Sequence, residues 1–275
     1  MVIVPQSACG KRHDLGDRLS KHLKTSTELP VIINQKQVIS MKLILSKRPK
    51  NVTIIEGFPG FGLIGTIATE FLMEHLQTEK IGVVEMDEVP AMIAIHQNKV
   101  IEPISIHYNK QYNMVLVHAI NVGKDLGWKL AEVIIDLAKQ LSAKEIISLE
   151  GVGSPSADVG RVFYYTTADG KVSQRLTGIA SPLQEGIIVG VTGALLAKEV
   201  GTPITALFAE AKSNLPDSKA AADIIKALDG YTGLKIDPKP LLKQAEMFEK
   251  KLKGILQNSK EAEELQDEKK LSYVG

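Results

Sequence analysis

From Met41 onward, short apolar and β-branched runs alternate with amphipathic stretches. Val52–Ile55, Ile81–Val84, Met114–Val117, Ile146–Leu149, Ile187–Val191 and Ile204–Ala209 are nearly continuous in apolar residues. Such runs predict strands covered on both faces, and therefore largely parallel pairing. Between them, Leu63–Leu76, Asp125–Leu141, Gly193–Val200 and Pro216–Leu228 carry helical spacing, with Pro216 suited to a first turn and Gly230 to a stop. Lys42–Leu45 reads as the first strand. Residues 91–109 and 161–175, the latter with Asp169-Gly170 as a turn, read as antiparallel additions. The predicted core is a three-layer α/β/α domain with a mostly parallel mixed sheet.

The two ends of the chain break this pattern. Residues 1–40 scatter Gln, Ser, His and Lys without periodicity, which predicts a flexible arm or an over-called start ahead of a domain spanning 41–237. Val2–Val4 is cut off by Pro5 and followed by Lys11, Arg12, Arg18, Lys21 and Lys24, so no signal peptide is expected. Past Pro238, Leu241, Ala245, Phe248, Leu252 and Ile255 recur at alternating spacings of four and three amid Lys and Glu. That seam fits a surface helix packing on its own domain and a self-association helix equally well. Lys260–Lys270 is almost wholly charged, and Leu271-Ser272-Tyr273-Val274-Gly275 then turns apolar and aromatic. Residues 238–275 thus predict a helical segment with a sticky tip.

Composition narrows the function classes. Lys+Arg number 33 against 32 Asp+Glu, a net charge of +1 over 275 residues, so no overall basic field draws the chain to nucleic acid or an anionic membrane. The single cysteine, Cys9, excludes an intrachain disulfide and a cysteine zinc site, which favours a cytoplasmic protein. The longest apolar run, Ile187–Ala197, is too short for a bilayer span, which takes about 20 residues.

The most conspicuous motif is Glu56-Gly57-Phe58-Pro59-Gly60-Phe61-Gly62-Leu63-Ile64-Gly65. Gly60, Gly62 and Gly65 fit G-x-G-x-x-G between a predicted strand and helix, and Glu85 follows twenty residues after Gly65. A dinucleotide site uses that context to hold pyrophosphate on helix amides and ribose on a carboxylate. Against it, Pro59 removes an amide donor and Phe61 crowds the position where phosphate approaches. The histidines at 13, 22, 75, 96, 107 and 118 form no paired motif, and His107 and His118 fit within strands. The competing reading is that the glycines permit a tight turn and close helix–sheet packing, with Phe58 and Phe61 on a contact surface. Glu85, Asp87, Glu88 and Glu150 fall at predicted strand ends, where an open sheet has its ligand crevice, so paired carboxylates there would suit acid/base work. No Walker loop, H-E-x-x-H, G-x-S-x-G or C-x-x-C is present. No catalytic residue, metal or cofactor is therefore expected; the alternative is a nucleotide- or nucleoside-binding enzyme using the glycine loop and the crevice.

Taken in order, the blocks Glu56–Gly65, Asp87-Glu88-Val89-Pro90-Ala91, Leu149-Glu150-Gly151-Val152-Gly153, Gly186–Leu196 and Pro216-Asp217 through Leu234-Lys235-Ile236-Asp237 resemble the PAC2 family of proteasome assembly chaperones, in particular its archaeal members. The resemblance runs from about Met41 to Leu256. It implies a nucleoside-phosphorylase-like fold without the phosphorylase's catalysis, and binding to the α subunits of the 20S proteasome in assembly or on the finished ring. It also implies a homo-oligomer, a tetramer or pentamer, with a paralogous protein as a further potential partner and Leu241, Ala245, Phe248, Leu252 and Ile255 as its seam. Some relatives end in a hydrophobic-Tyr-any tripeptide that enters pockets between α subunits. Tyr273-Val274-Gly275 resembles it with the tyrosine third from the end and Ser272 in the hydrophobic place. By that resemblance Leu271, Tyr273, Val274 and Gly275 are docking residues, beside the contact surface of Phe58 and Phe61.

Overall fold

Ile54 and Ile55 are both fully buried although they point to opposite faces of one strand, and Ile146 and Ile147 repeat the arrangement. This is the behaviour of central strands covered by helices on both sides. In the computed structural model, which describes residues 41–86, 94–96, 99–123, 125–153, 160–211, 214–237, 239–240 and 254, they belong to a nine-stranded sheet. The elements run β1 (Met41–Leu45), β2 (Thr53–Gly57), a 3-10 turn (Phe61–Leu63), α1 (Ile64–His75), β3 (Glu79–Met86), β4 (Ala94–His96), β5 (Lys99–Ile101), β6 (Ile104–Asn109) and β7 (Met114–Ala119). They continue with α2 (Gly127–Leu141), β8 (Glu145–Gly153), β9 (Val162–Thr166), α3 (Gly170–Thr177), β10 (Ser181–Pro182), α4 (Gly190–Leu196), β11 (Ile204–Ala211) and α5 (Ser218–Thr232).

Strand order is β1-β3-β6-β7-β2-β8-β11-β9-β10, with β4 and β5 a separate hairpin. Parallel pairing holds β7, β2, β8 and β11 together, four of the strands with continuous apolar runs; the fifth such run, Ile81–Val84 in β3, pairs antiparallel on both sides, because its strand lies in the flank with β1 and β6 and not among the central strands. On one flank β1, β3, β6 and β7 pair antiparallel; on the other, β9 is antiparallel to β11 and parallel to β10. Helices α1 and α5 share one core with Ile55, Leu116, Ile147 and Leu207, whereas α2 and α4 share the other with Ile54, Val115, Val117 and Ile146. The expected three-layer α/β/α fold with a mixed sheet is what forms.

Three local expectations change. Ile187–Val191 is not a strand: 187–189 form an irregular stretch, α4 begins at Gly190, and Ile187 and Val189 are 62% and 71% exposed. Gly190 interrupts the run, and Gly186 and Gly193 flank it. Asp169-Gly170 is not a hairpin turn but the start of α3, where the Asp169 carboxylate accepts from the Lys171 and Val172 amides at 3.1 and 3.3 Å. Removing that cap with Asp169→Ala should lower stability by about 1 kcal/mol, a Tm fall of about 2–4 °C by calorimetry. Helix α5 is capped by Asp217, passes through Gly230 with Ile179 packed 3.4 Å from where a Cβ would stand, and stops at Gly233 in the left-handed region.

Candidate functional site

The parallel strands end at a loop whose glycines bring backbone against backbone. A Cβ on Gly57 would lie 2.5 Å from the Gly65 carbonyl carbon and 2.8 Å from Thr69 Cγ2; one on Gly65 would lie 3.0 Å from Gly57 Cα and inside the Leu149 carbonyl oxygen. One on Gly151 would lie 2.9 Å from the Phe61 carbonyl carbon. The loop turns at Gly62 (φ 67°) and Leu63 (φ 51°), so α1 starts directly on the ends of β2 and β8. Close helix–sheet packing is therefore what these glycines provide.

The dinucleotide geometry is not assembled. The Glu150 carboxyl occupies the side of Gly60 where phosphate would approach, its Cδ 3.0 Å from a Cβ position there. Glu85 lies on β3, separated from β2 by β6 and β7, about 14 Å at the usual strand spacing and not on the neighbouring strand. Glu85 and Glu150 are likewise not brought together, and Asp87 and Glu88 lie outside the described residues.

What the strand ends do assemble is a crevice of about 800 Å³ between Phe58–Phe61, the end of β8, the turn before α2, and Ile187–Val189 with α4. Glu150 in its wall leads into a buried chain of four polar groups behind the lining. Ser148 Oγ donates to the Glu56 carboxylate, Ser148 Oγ and Thr192 Oγ1 are 2.6 Å apart, and Thr192 Oγ1 is 3.1 Å from Glu150 Oε2. Glu56, Ser148 and Thr192 are buried. Burial pushes the Glu56 carboxyl up to about 8, with the Ser148 bond opposing and Glu150 adding repulsion. Burial likewise pushes Glu150 up to about 7, against the Thr192 bond and the Gly151 amide. Sequence patterning named Glu150 but saw Glu56 only as the lead of the glycine motif. The missed signal is a carboxyl, and in β8 a hydroxyl, inside runs that are otherwise apolar on both faces.

Phe61 is half-buried at the crevice wall, its ring against Gly153. Phe58, expected beside it on a contact surface, is instead 4% exposed within the core under α2 and α4, because it continues β2 beneath those helices. The exposed apolar groups at the mouth are Trp128, Ile187 and Val189, none expected as a site residue; Ile187 and Val189 fall in the run expected as a strand. His118 lies on the α1 face of the sheet: Nδ1 is 2.9 Å from Thr69 Oγ1 and Nε2 is 2.9 Å from Glu70 Oε2, close enough for pairing but off the hydrogen-bond line. His107, on neighbouring β6, is held down to about 4 by burial, then by His118 and Lys80. The seam residues Leu241, Ala245, Phe248, Leu252 and Ile255, and the tail Leu271, Tyr273, Val274 and Gly275, lie outside the described residues. Among the described residues, no helix is long and apolar enough to cross a membrane, and no group of three or more His, Cys, Asp or Glu could hold a metal ion.

The profile of the PAC2 family matches residues 54–256. An uncharacterized protein of Methanocaldococcus jannaschii is 27% identical over 222 residues, 79% of this chain and 92% of that protein. Among solved structures, Pyrococcus furiosus PbaA, described as an archaeal homolog of proteasome-assembly chaperone, superposes with a TM-score of 0.72 at 30% identity, covering 82% of this chain and all (100%) of that one. PbaB of the same organism, described as an archaeal proteasome activator, shares the fold at a TM-score of 0.65 and 24% identity, covering 78% of this chain and 98% of its own.

Proposed function

The chain belongs to the PAC2 family, and from that premise we propose that it is a cytoplasmic, non-catalytic chaperone or adaptor that binds the α ring of the 20S proteasome. The observation that carries this reading is the likeness to PbaA, 30% identical and covering 82% of this chain. In this reading the chain works as a homo-oligomer, a tetramer or pentamer, with Leu241, Ala245, Phe248, Leu252 and Ile255 as its seam and residues 238–275 as a segment apart from the 41–237 domain. Leu271, Tyr273, Val274 and Gly275 dock into the ring. A terminal carboxylate pairs with a cation in a partly dry pocket while the tyrosine ring fills apolar space. Several tails on one assembly add avidity without new contacts. Half-buried Phe61, together with the exposed Trp128, Ile187 and Val189, gives the domain an apolar rim that fits a second contact with a subunit or a paralogous protein.

Deleting Leu271–Gly275 or substituting Tyr273→Ala is expected to weaken co-sedimentation with 20S particles at least tenfold, with the oligomer mass by light scattering unchanged. Equal binding by both variants would remove the docking tail from the proposal. Leu252→Asp is expected to lower the oligomer mass.

A further inference from the structure

The crevice, at about 800 Å³, has the size of a small-molecule site. Its described lining residues carry two carboxyls, Glu150 and Asp125, and no basic group; the rest is apolar, aromatic or glycine backbone. Lys198 has its Nζ 5.8 Å from the Trp128 ring centroid and 3.1 Å from Glu132 Oε1, and does not line the cavity.

The buried chain behind Glu150 fixes a proton inventory. Three O···O links join Glu56, Ser148, Thr192 and Glu150. Each link needs one proton, and the two hydroxyls supply only two. The third must come from a carboxyl. With the proton on Glu150, Glu150 donates to Thr192, Thr192 to Ser148 and Ser148 to an ionised Glu56. With it on Glu56, every bond reverses and the negative charge appears on Glu150, at the cavity wall. Glu150 can therefore present a carboxylate to the crevice without a second buried charge beside it, and no proton need enter or leave.

We propose that the crevice is a binding site for a small organic ammonium on an apolar or aromatic body, its cation paired with Glu150 and its body held between Phe61 and the apolar wall of Leu126, Leu130 and Val191. A cation is favoured by the sign of the charge on the described lining residues, a carboxylate held in place by Thr192 and the Gly151 amide pairs with it by a charge-assisted bond, and aromatic faces add cation–π attraction. Glu150 is faced by Glu56 on β2 through the hydroxyl chain and by Thr192 on α4, and Asp125 ahead of α2 shares the cavity lining.

The site holds the chain's only tryptophan at its rim, so binding is readable in Trp128 emission. The full-length protein is titrated with phenethylammonium, 2-phenylethanol and 3-phenylpropionate at pH 8 and pH 5.5. A saturable response to the ammonium at pH 8 is expected, with the alcohol and the acid at least tenfold weaker. Glu150→Gln should lose the ammonium response while circular dichroism stays unchanged. The unaltered protein gives an independent arm: because Glu150 is pushed up to about 7, binding should weaken at least tenfold at pH 5.5, where it is protonated. Equal binding of the three probes, pH-independent binding of the ammonium, or no saturable response to any of them would overturn the proposal. None of these outcomes bears on proteasome binding by the tail.

Discussion

Gly65→Ala is expected to destabilise the chain by about 3 kcal/mol or more, at the upper end of what overpacking costs, and to lower Tm by about 6–12 °C. The methyl group would stand 3.0 Å from Gly57 Cα and within the radius of the Leu149 carbonyl oxygen, so both obstacles are backbone that cannot rotate aside. Helix α1 would have to lift from β2 and β8, loosening the α1 core around Ile64, Ile67 and Phe71. The matched control is Gly170→Ala in the first turn of α3, where a Cβ meets nothing within 4 Å. There the same substitution should stabilise by roughly 0.4–1 kcal/mol by restricting the unfolded chain. Calorimetry on both variants decides the matter. A Gly65→Ala protein melting within about 2 °C of the parent would mean that close approach is not what the glycine provides.

The pair also shows where sequence patterning stops. Continuous apolar runs locate β2, β3, β7, β8 and β11 but not their direction, since β3 pairs antiparallel; helical spacing locates α1, α2 and α5, although α2 buries a single stripe while α1 is buried at every position from Ile64 to Leu72. Apolarity alone does not separate the buried run of β11 from the exposed one at Ile187–Val189; the first fills the sheet, the second edges a crevice. Asp169 before Gly170 has the same turn chemistry whether a hairpin or a helix follows, and here its carboxylate finds two helix amides. At the site, the glycine motif is visible in the sequence, but its meaning depends on strand order. β6 and β7 intervene between β2 and β3, which takes Glu85 away, and β8 alongside β2 brings Ser148 and Glu150 to Glu56. Those residues are 92 or more positions apart in the chain, and no local pattern joins them.

The same hydroxyl-linked carboxyls should make stability depend on pH in a direction opposite to ordinary salt-bridged acids. Glu56 moves from 4.5 when unfolded to about 8 when folded, so the native state holds a proton the unfolded chain has released. Its contribution is complete below pH 4.5 and is lost as pH rises through 8. His107 acts the other way: lowered from 6.5 to about 4, it makes the unfolded chain bind the extra proton, so stability rises with pH across that window. Between pH 4.5 and 6.5 the two slopes oppose each other. Above 6.5 His107 is neutral in both states and the carboxyls act alone, with Glu150, at about 7, adding to the first part of the fall. Between pH 6.5 and 9 Glu56 should therefore remove on the order of 2 kcal/mol, at about 1.4 kcal/mol per pH unit. Glu56→Gln retains an acceptor for Ser148 Oγ but does not titrate. Guanidinium unfolding of both proteins at pH 6.5, 7.5 and 9 should show the parent losing stability at each step, and the variant losing markedly less and overtaking it by pH 9. Parallel curves would place the alkaline loss elsewhere in the molecule and leave Glu56 ionised in the fold, with two buried carboxylates facing each other through hydroxyls that have one proton too few to link them.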